Sequence, residues 1–159
     1  MFVSAVSALS VSSALKSLSS CFFVALHALE TFCHTSCVFS EAVLDHFRHP
    51  RNSGELPDAT AVVEVSNPVC GDILKLSARV ENGCISEARF LCRGCTTSIA
   101  CASLLTEQLR GRSLTEARSI TAESLSSSLG GLPPATFHGA QLAADAVGAL
   151  LQRISSGND

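Results

Sequence analysis

From residue 61 onward the apolar positions of the chain change period twice. Ala61-Val62-Val63-Glu64-Val65 is short and β-branched, and Ile73 to Val80 alternates, with Leu74, Leu76, Ala78 and Val80 on one face and Lys75, Ser77 and Arg79 opposite. Both segments predict strands. Asn82-Gly83 is a two-residue hairpin signal leading into Ile85 to Leu91, so the second and third strands are expected to pair antiparallel, with Ala88, Phe90 and Cys92 sharing a face. Past Gly94 the spacing becomes helical: Ile99, Ala102, Leu105 or Thr106, and Leu109 fall on one side, and Gly111 is the stop.

Shorter signals complete the pattern. Ser40 caps a helix whose apolar side is expected from Val43, Leu44 and Phe47, with Phe39 stapled to Leu44 and Pro50 as the terminator. Ser113-Leu114-Thr115-Glu116 is a capping box, and Thr121 with Glu123 predicts another short helix before Gly130-Gly131. Pro133-Pro134 then opens the longest helix, in which Phe137, Ala140, Ala144, Val147, Leu151 and Ile154 keep a three-four spacing. Strands first and helices afterwards predict an α+β domain, a small three-stranded antiparallel sheet packed against helices.

Composition narrows the partners. At 159 residues the chain has room for one ordinary core, and a net charge of −3 without Trp, Tyr or a run of Lys or Arg gives no electrostatic footprint for nucleic acid or anionic lipid. Neither nucleic acid nor membrane is expected as a partner. The eight cysteines are irregularly spaced, which fits reduced thiols in the cytoplasm better than a disulfide framework. Residues 1–38 differ in kind: Lys16 and Glu30 are their only charged side chains, and Ser, Ala and Leu dominate. They are read as a low-charge extension, disordered or the product of a misassigned start. Charge is lacking at the beginning for a secretory signal, Arg for a transit peptide, and length in Cys21 to Leu29 for a membrane span. The folded domain is expected over 39–155, with 156–159 as a tail.

Three stretches carry candidate chemistry: Asn67-Pro68-Val69-Cys70-Gly71-Asp72, Arg93-Gly94-Cys95-Thr96, and Leu132 to His138. If the strand has already begun at Cys70, that residue and Asp72 point to one side as a chelating pair, soft thiolate beside hard carboxylate. Equally, Asp72 punctuates a turn and Cys70 is a small hydrophobe. Cys95 stands at a helix start, where free amides and the positive end of the dipole favour thiolate, although a structural thiol under a helix also fits. Cys92 and Cys95 spell C-x-x-C, a motif for a thiol-disulfide pair or half a zinc knuckle, but no second C-x-x-C matches it, and Cys92 falls on the apolar face. Cys101 and Cys84 read as packing or surface residues, and His46 and His49 as a polar rim. His138 beside the final apolar stripe means little alone. No G-x-S-x-G, Walker A or G-x-G-x-x-G sequence is present.

Taken in order, these stretches carry a resemblance. Phe39 to Asn52, Cys70-Gly71-Asp72, Gly94-Cys95 with Ser98-Ile99-Ala100, and Leu132-Pro133-Pro134 leading to His138 are similar to the iron-sulfur cluster assembly scaffolds of the IscU and NifU N-terminal family. The resemblance implies a SufE/NifU-like fold and a protein that is not itself an enzyme. Cys70, Asp72, Cys95 and His138 match the family's ligands for iron and a transient [2Fe-2S] cluster, with zinc as the other occupant. It also implies sulfur supply by a cysteine desulfurase, delivery to acceptor iron-sulfur proteins, and a homodimer where a cluster bridges two chains. The chain departs from the family twice. Gly139 follows the histidine where the family has a cysteine that ligates and accepts sulfur. Ala135-Thr136 replaces a Val-Lys pair after Leu132-Pro133-Pro134, in the segment an Hsp70-type chaperone reads. The rival reading is a degenerate relative that only binds zinc, and a thiol-disulfide oxidoreductase using Cys92 and Cys95 stands last.

Overall fold

The computed structural model describes residues 39–157; the N-terminal extension lies outside the described residues. Three strands, β1 (Ala61–Ser66), β2 (Ile73–Glu81) and β3 (Cys84–Arg93), form one antiparallel sheet in the order β1-β2-β3. The β2–β3 turn closes on Asn82 and Gly83 with φ of 53° and 77°, the left-handed pair that a type I′ hairpin requires. A bulge between Arg79 and Val80 shifts the register next to this turn.

Among the described residues five α-helices accompany the sheet: α1 (Glu41–Arg48), α2 (Thr96–Leu109), α3 (Leu114–Ala117), α4 (Ala122–Ser128) and α5 (His138–Ser156), the last preceded by a 3₁₀ turn over Pro134–Thr136. The α+β architecture expected from the strand and helix periods is therefore present. α5 lies over β1 and β2, α2 lies over β3, and α1 packs on α2. Leu74, Leu76, Ile85 and Phe90 of the sheet meet Leu105, Leu109, Leu142 and Leu150 of the helices in one core, all at 2% exposure or less. Each side chain of this size contributes roughly 1.5–3 kcal/mol by leaving water. The edge of β3 is covered by loops: Gly54 N–H donates to the Phe90 carbonyl at 2.8 Å, and Ile85 N–H to that of Arg112 at 2.8 Å.

The helices bury more than a narrow stripe. α2 is sandwiched between β3, α1 and α5, and buries Thr97, Ser98, Ala100, Cys101, Ala102, Ser103, Leu105, Thr106 and Leu109. Ile99 is only partly covered. Small and hydroxylated residues fill most of that list because helices approach on several sides and leave little depth for long side chains.

α1 also turns differently from the expectation. It buries Val43 and His46, while Leu44 is intermediate and Phe47 is 39% exposed. His46 is thus a core residue rather than part of a rim, whereas His49 is exposed. Its Nδ1 lies 2.9 Å from Ser103 Oγ, which itself accepts the Arg51 N–H at 2.8 Å. The Ser103 hydroxyl, which can both accept and donate, thus meets the hydrogen-bonding demand of the buried imidazole across the α1–α2 contact.

Candidate metal centre

The pairing Ser66↔Ile73↔Arg93 places the end of β1, the start of β2 and the end of β3 at one end of the sheet. The β1–β2 loop, the β3–α2 junction and the start of α5 meet there. Cys70 and Asp72 do not lie in a strand together, since β2 begins only at Ile73. A turn joins them instead. Asn67 Oδ1 accepts the Val69 N–H at 2.8 Å, Asn67 C=O accepts the Gly71 N–H at 2.8 Å, and Asn67 N–H donates to the Asp72 carbonyl at 2.9 Å. Gly71, at φ 74°, supplies the left-handed step that closes the loop. Cys70 is left exposed at the tip, and Asp72 turns inward to 7% exposure.

Asp72 serves the next segment as well. Cys95 is the N-cap of α2 but its side chain makes no cap hydrogen bond. The Asp72 carboxylate takes that place from another element: Oδ2 accepts the Cys95 N–H at 3.2 Å and the Ser98 hydroxyl at 2.5 Å. The fit depends on Gly94, where a Cβ would stand 2.8 Å from Asp72 Cγ. Burial pushes the Asp72 carboxyl up, but hydrogen bonds from Ser98, from the Cys95 amide and from the Cys95 and Cys70 thiols outweigh it and hold the group below the ordinary carboxylate range.

The imidazole arrives on α5. A Cβ on Gly139 would lie 2.8 Å from Ser98 N and 3.0 Å from Thr97 C, so the first turn of α5 rests directly on the first turn of α2. That contact sets His138 Nε2 3.8 Å from Cys95 Sγ. Cys70, Asp72 and His138 each offer a ligand atom, and the three atoms lie within 4.8 Å of one another. Cys95 stands beside this trio, with Thr97 Oγ1 and Ser98 Oγ 3.0 and 3.3 Å from its sulfur. All four residues singled out in the sequence therefore meet at one end of the sheet. Sequence reasoning gave no role to Gly94, Thr97 or Ser98. The signal for Ser98 was its place three residues after the N-cap, where a side chain meets whatever caps the helix.

The other thiols of the described residues are not among these candidate donors. Cys92 is half-buried, and burial first, then the nearby Asp72, pushes its thiol up to about 12. Cys101 is fully buried and likewise pushed up to about 12, while Cys84 is exposed beside the hairpin. Burial and protonation make Cys92 a poor attacking thiol, which counts against a Cys92–Cys95 exchange pair.

A three-stranded sheet backed by helices, with two thiols, a carboxylate and an imidazole gathered at its end, defines a small α+β protein built around an open mixed-donor pocket. The same fold is seen in the crystal structures of a putative iron-sulfur cluster assembly scaffold protein for the SUF system from Fervidobacterium islandicum AW-1 (TM-score 0.60, 20% identity, 74% of this chain and 98% of that one). It recurs in a nitrogen-fixing NifU-like protein (N-terminal) from Brucella abortus (TM-score 0.59, 18% identity, 73% and 93%). The chain belongs to the NifU-like N terminal domain family, whose model matches residues 38–156. It is 41% identical over 110 residues to the iron-sulfur cluster assembly scaffold protein IscU 1 of Archaeoglobus fulgidus, covering 69% of this chain and 72% of that one. With the IscU scaffold protein of Escherichia coli it shares 40% identity over 122 residues, covering 74% and 94%.

Proposed function

We propose that this chain is a scaffold for iron-sulfur cluster assembly: it receives iron and sulfur, holds a transient cluster as cargo, and passes it to acceptor proteins. Family membership supports the scaffold role. The observation that carries the site is the clustering of ligand atoms from Cys70, Asp72 and His138 within 4.8 Å, with Cys95 Sγ 3.8 Å from the same imidazole. The donor set suits the cargo. Thiolates take iron and zinc strongly, and a carboxylate is the harder, more exchangeable member. Exposed Cys70 and Cys95 leave the pocket open to solvent, as handover to another protein demands.

Within this reading the cargo is a [2Fe-2S] cluster bound by Cys70, Asp72, Cys95 and His138, and zinc is the alternative occupant of the same four donors. Sulfur comes from a cysteine desulfurase in the cytoplasm, and the chain itself turns over no substrate. No described helix is long and apolar enough to cross a membrane. Gly139 favours the rival in which zinc is the only occupant, because it offers no third sulfur and its tight packing leaves no room for one. Anaerobic reconstitution with ferrous iron and sulfide decides between them. A visible chromophore in the wild type that is abolished by Cys95→Ala supports the scaffold; a colourless wild type carrying one zinc supports the rival.

A further inference from the structure

Two of the four candidate donors touch one side chain that is not itself a donor, and the helix that bears a third rests on the backbone of the same residue. Ser98 is 1% exposed, yet its hydroxyl is fully engaged: it donates to Asp72 Oδ2 at 2.5 Å and lies 3.3 Å from Cys95 Sγ. Its backbone nitrogen is the atom nearest to the space above Gly139, 2.8 Å from where a Cβ would stand, so the turn that carries His138 rests on the same residue.

We infer that Ser98 is the positioning residue of the pocket. It clamps the Asp72 carboxylate in a single orientation for a metal ion, an inference that rests on the metal-binding reading above. A carboxylate can swing about two torsions, and one gripped at a single oxygen keeps the other in a fixed place. The Ser98 hydroxyl and the Cys95 amide both fall on Oδ2, so the grip of α2 on the carboxylate is through one oxygen. The amide alone is the weaker restraint at 3.2 Å. Ser98 thus does for an oxygen donor what a hydrogen-bonding partner does for a metal-ligating histidine: it fixes orientation before the ion arrives.

The test uses the full chain, kept reduced, and cobalt(II) as the probe, because its visible bands report both sulfur ligation and coordination geometry. Wild type is expected to bind one ion with the intense bands of a tetrahedral sulfur-containing site. Ser98→Ala, which keeps Cβ and the backbone contact with Gly139, is expected to retain the wild-type far-UV circular dichroism. It should bind cobalt roughly tenfold to a hundredfold more weakly, with displaced visible bands. In an Asp72→Ala background the same substitution should weaken binding no further, and Ser98→Thr, which keeps the hydroxyl, should restore the wild-type spectrum.

A Ser98→Ala protein with unchanged affinity and bands overturns the inference. So does an equal loss with and without Asp72, which would mark a general packing effect, or a Ser98→Thr protein that behaves like Ser98→Ala. A wild type that takes up no cobalt, zinc or iron overturns the metal-binding reading itself and the inference with it, a result distinct from all of these.

Discussion

His46 shows how much a single residue can change between a pattern and a structure. Burial holds its imidazole below the ordinary value of 6.5, and Arg51 acts in the same direction, against the opposing Glu107 and Asp45 carboxylates. The group's folded pKa is depressed, so between that value and 6.5 the unfolded chain binds a proton that the folded chain does not. Stability is therefore unaffected by His46 above the unfolded pKa and falls as pH drops below it. Between about pH 7.5 and about 5.5, the midpoint of thermal unfolding should fall more steeply for wild type than for His46→Gln. Parallel slopes would assign the acid sensitivity to other groups. Thiol, carboxylate and imidazole stand out wherever they occur, but each of Cys70, Asp72, Cys95 and His138 had an ordinary reading alone, and only the ordered resemblance made them readable as one candidate site. Ser98 and the buried His46 were not readable, because a serine in a helix turn and a histidine among arginines have common uses on the surface. Only the neighbouring helix decides otherwise.

At the level of elements, periodicity and capping signals located the strands and α-helices of the described residues, but Pro133-Pro134 leads into a separate 3₁₀ turn and the last helix opens only at His138, and the apolar stripes misjudged how many faces each helix would bury. A stripe of Ile99, Ala102, Leu105 and Leu109 describes a helix with one neighbour, whereas α2 has neighbours on several sides. The stretch from Asn67 to Asp72 stayed open between strand and turn because alternation does not say where a strand begins; the structure takes the turn, with Gly71 in the left-handed region and β2 starting at Ile73. α5 gives a direct measure of close packing, since it holds two glycines in contrasting surroundings. Gly139 faces the backbone of α2 at 2.8 Å, while a Cβ on Gly148 would meet nothing within 4 Å. Gly148→Ala should raise stability by about 0.5–1 kcal/mol through helix propensity alone. Gly139→Ala should lower it by about 1–2 kcal/mol, because overpacking against backbone exceeds that gain. Urea unfolding of the two variants measures both, and a stabilised Gly139→Ala would show that α5 can shift away freely. A cysteine at this position carries the same Cβ, so the structure must yield before it could accept a third sulfur.

For the molecule as a whole, the pocket is a junction rather than a property of any one element, with donors supplied by a loop, a helix cap and a helix start. An ion that binds only when these are assembled stabilises the assembled state by mass action, by about 2.7 kcal/mol at a hundredfold excess over its dissociation constant. Zinc should accordingly raise the unfolding midpoint, EDTA should reverse the rise, and Cys95→Ala should diminish it. A midpoint indifferent to zinc in the wild type would mean that the donors do not act together.

The spacing of those donors along the chain has a consequence in time. Cys70, Asp72 and Cys95 are made early, but the imidazole waits for α5, the final helix of the described residues. On the metal-binding reading proposed above, these three would stand as a partial chelate during synthesis, two sulfurs and an oxygen without the imidazole, until α5 docks on α2. Because His138 opens α5, Gly139 can settle against Ser98 only as that helix arrives. Completion of the pocket and docking of α5 are then the same event, and on that reading a nascent chain caught before it would hold metal loosely.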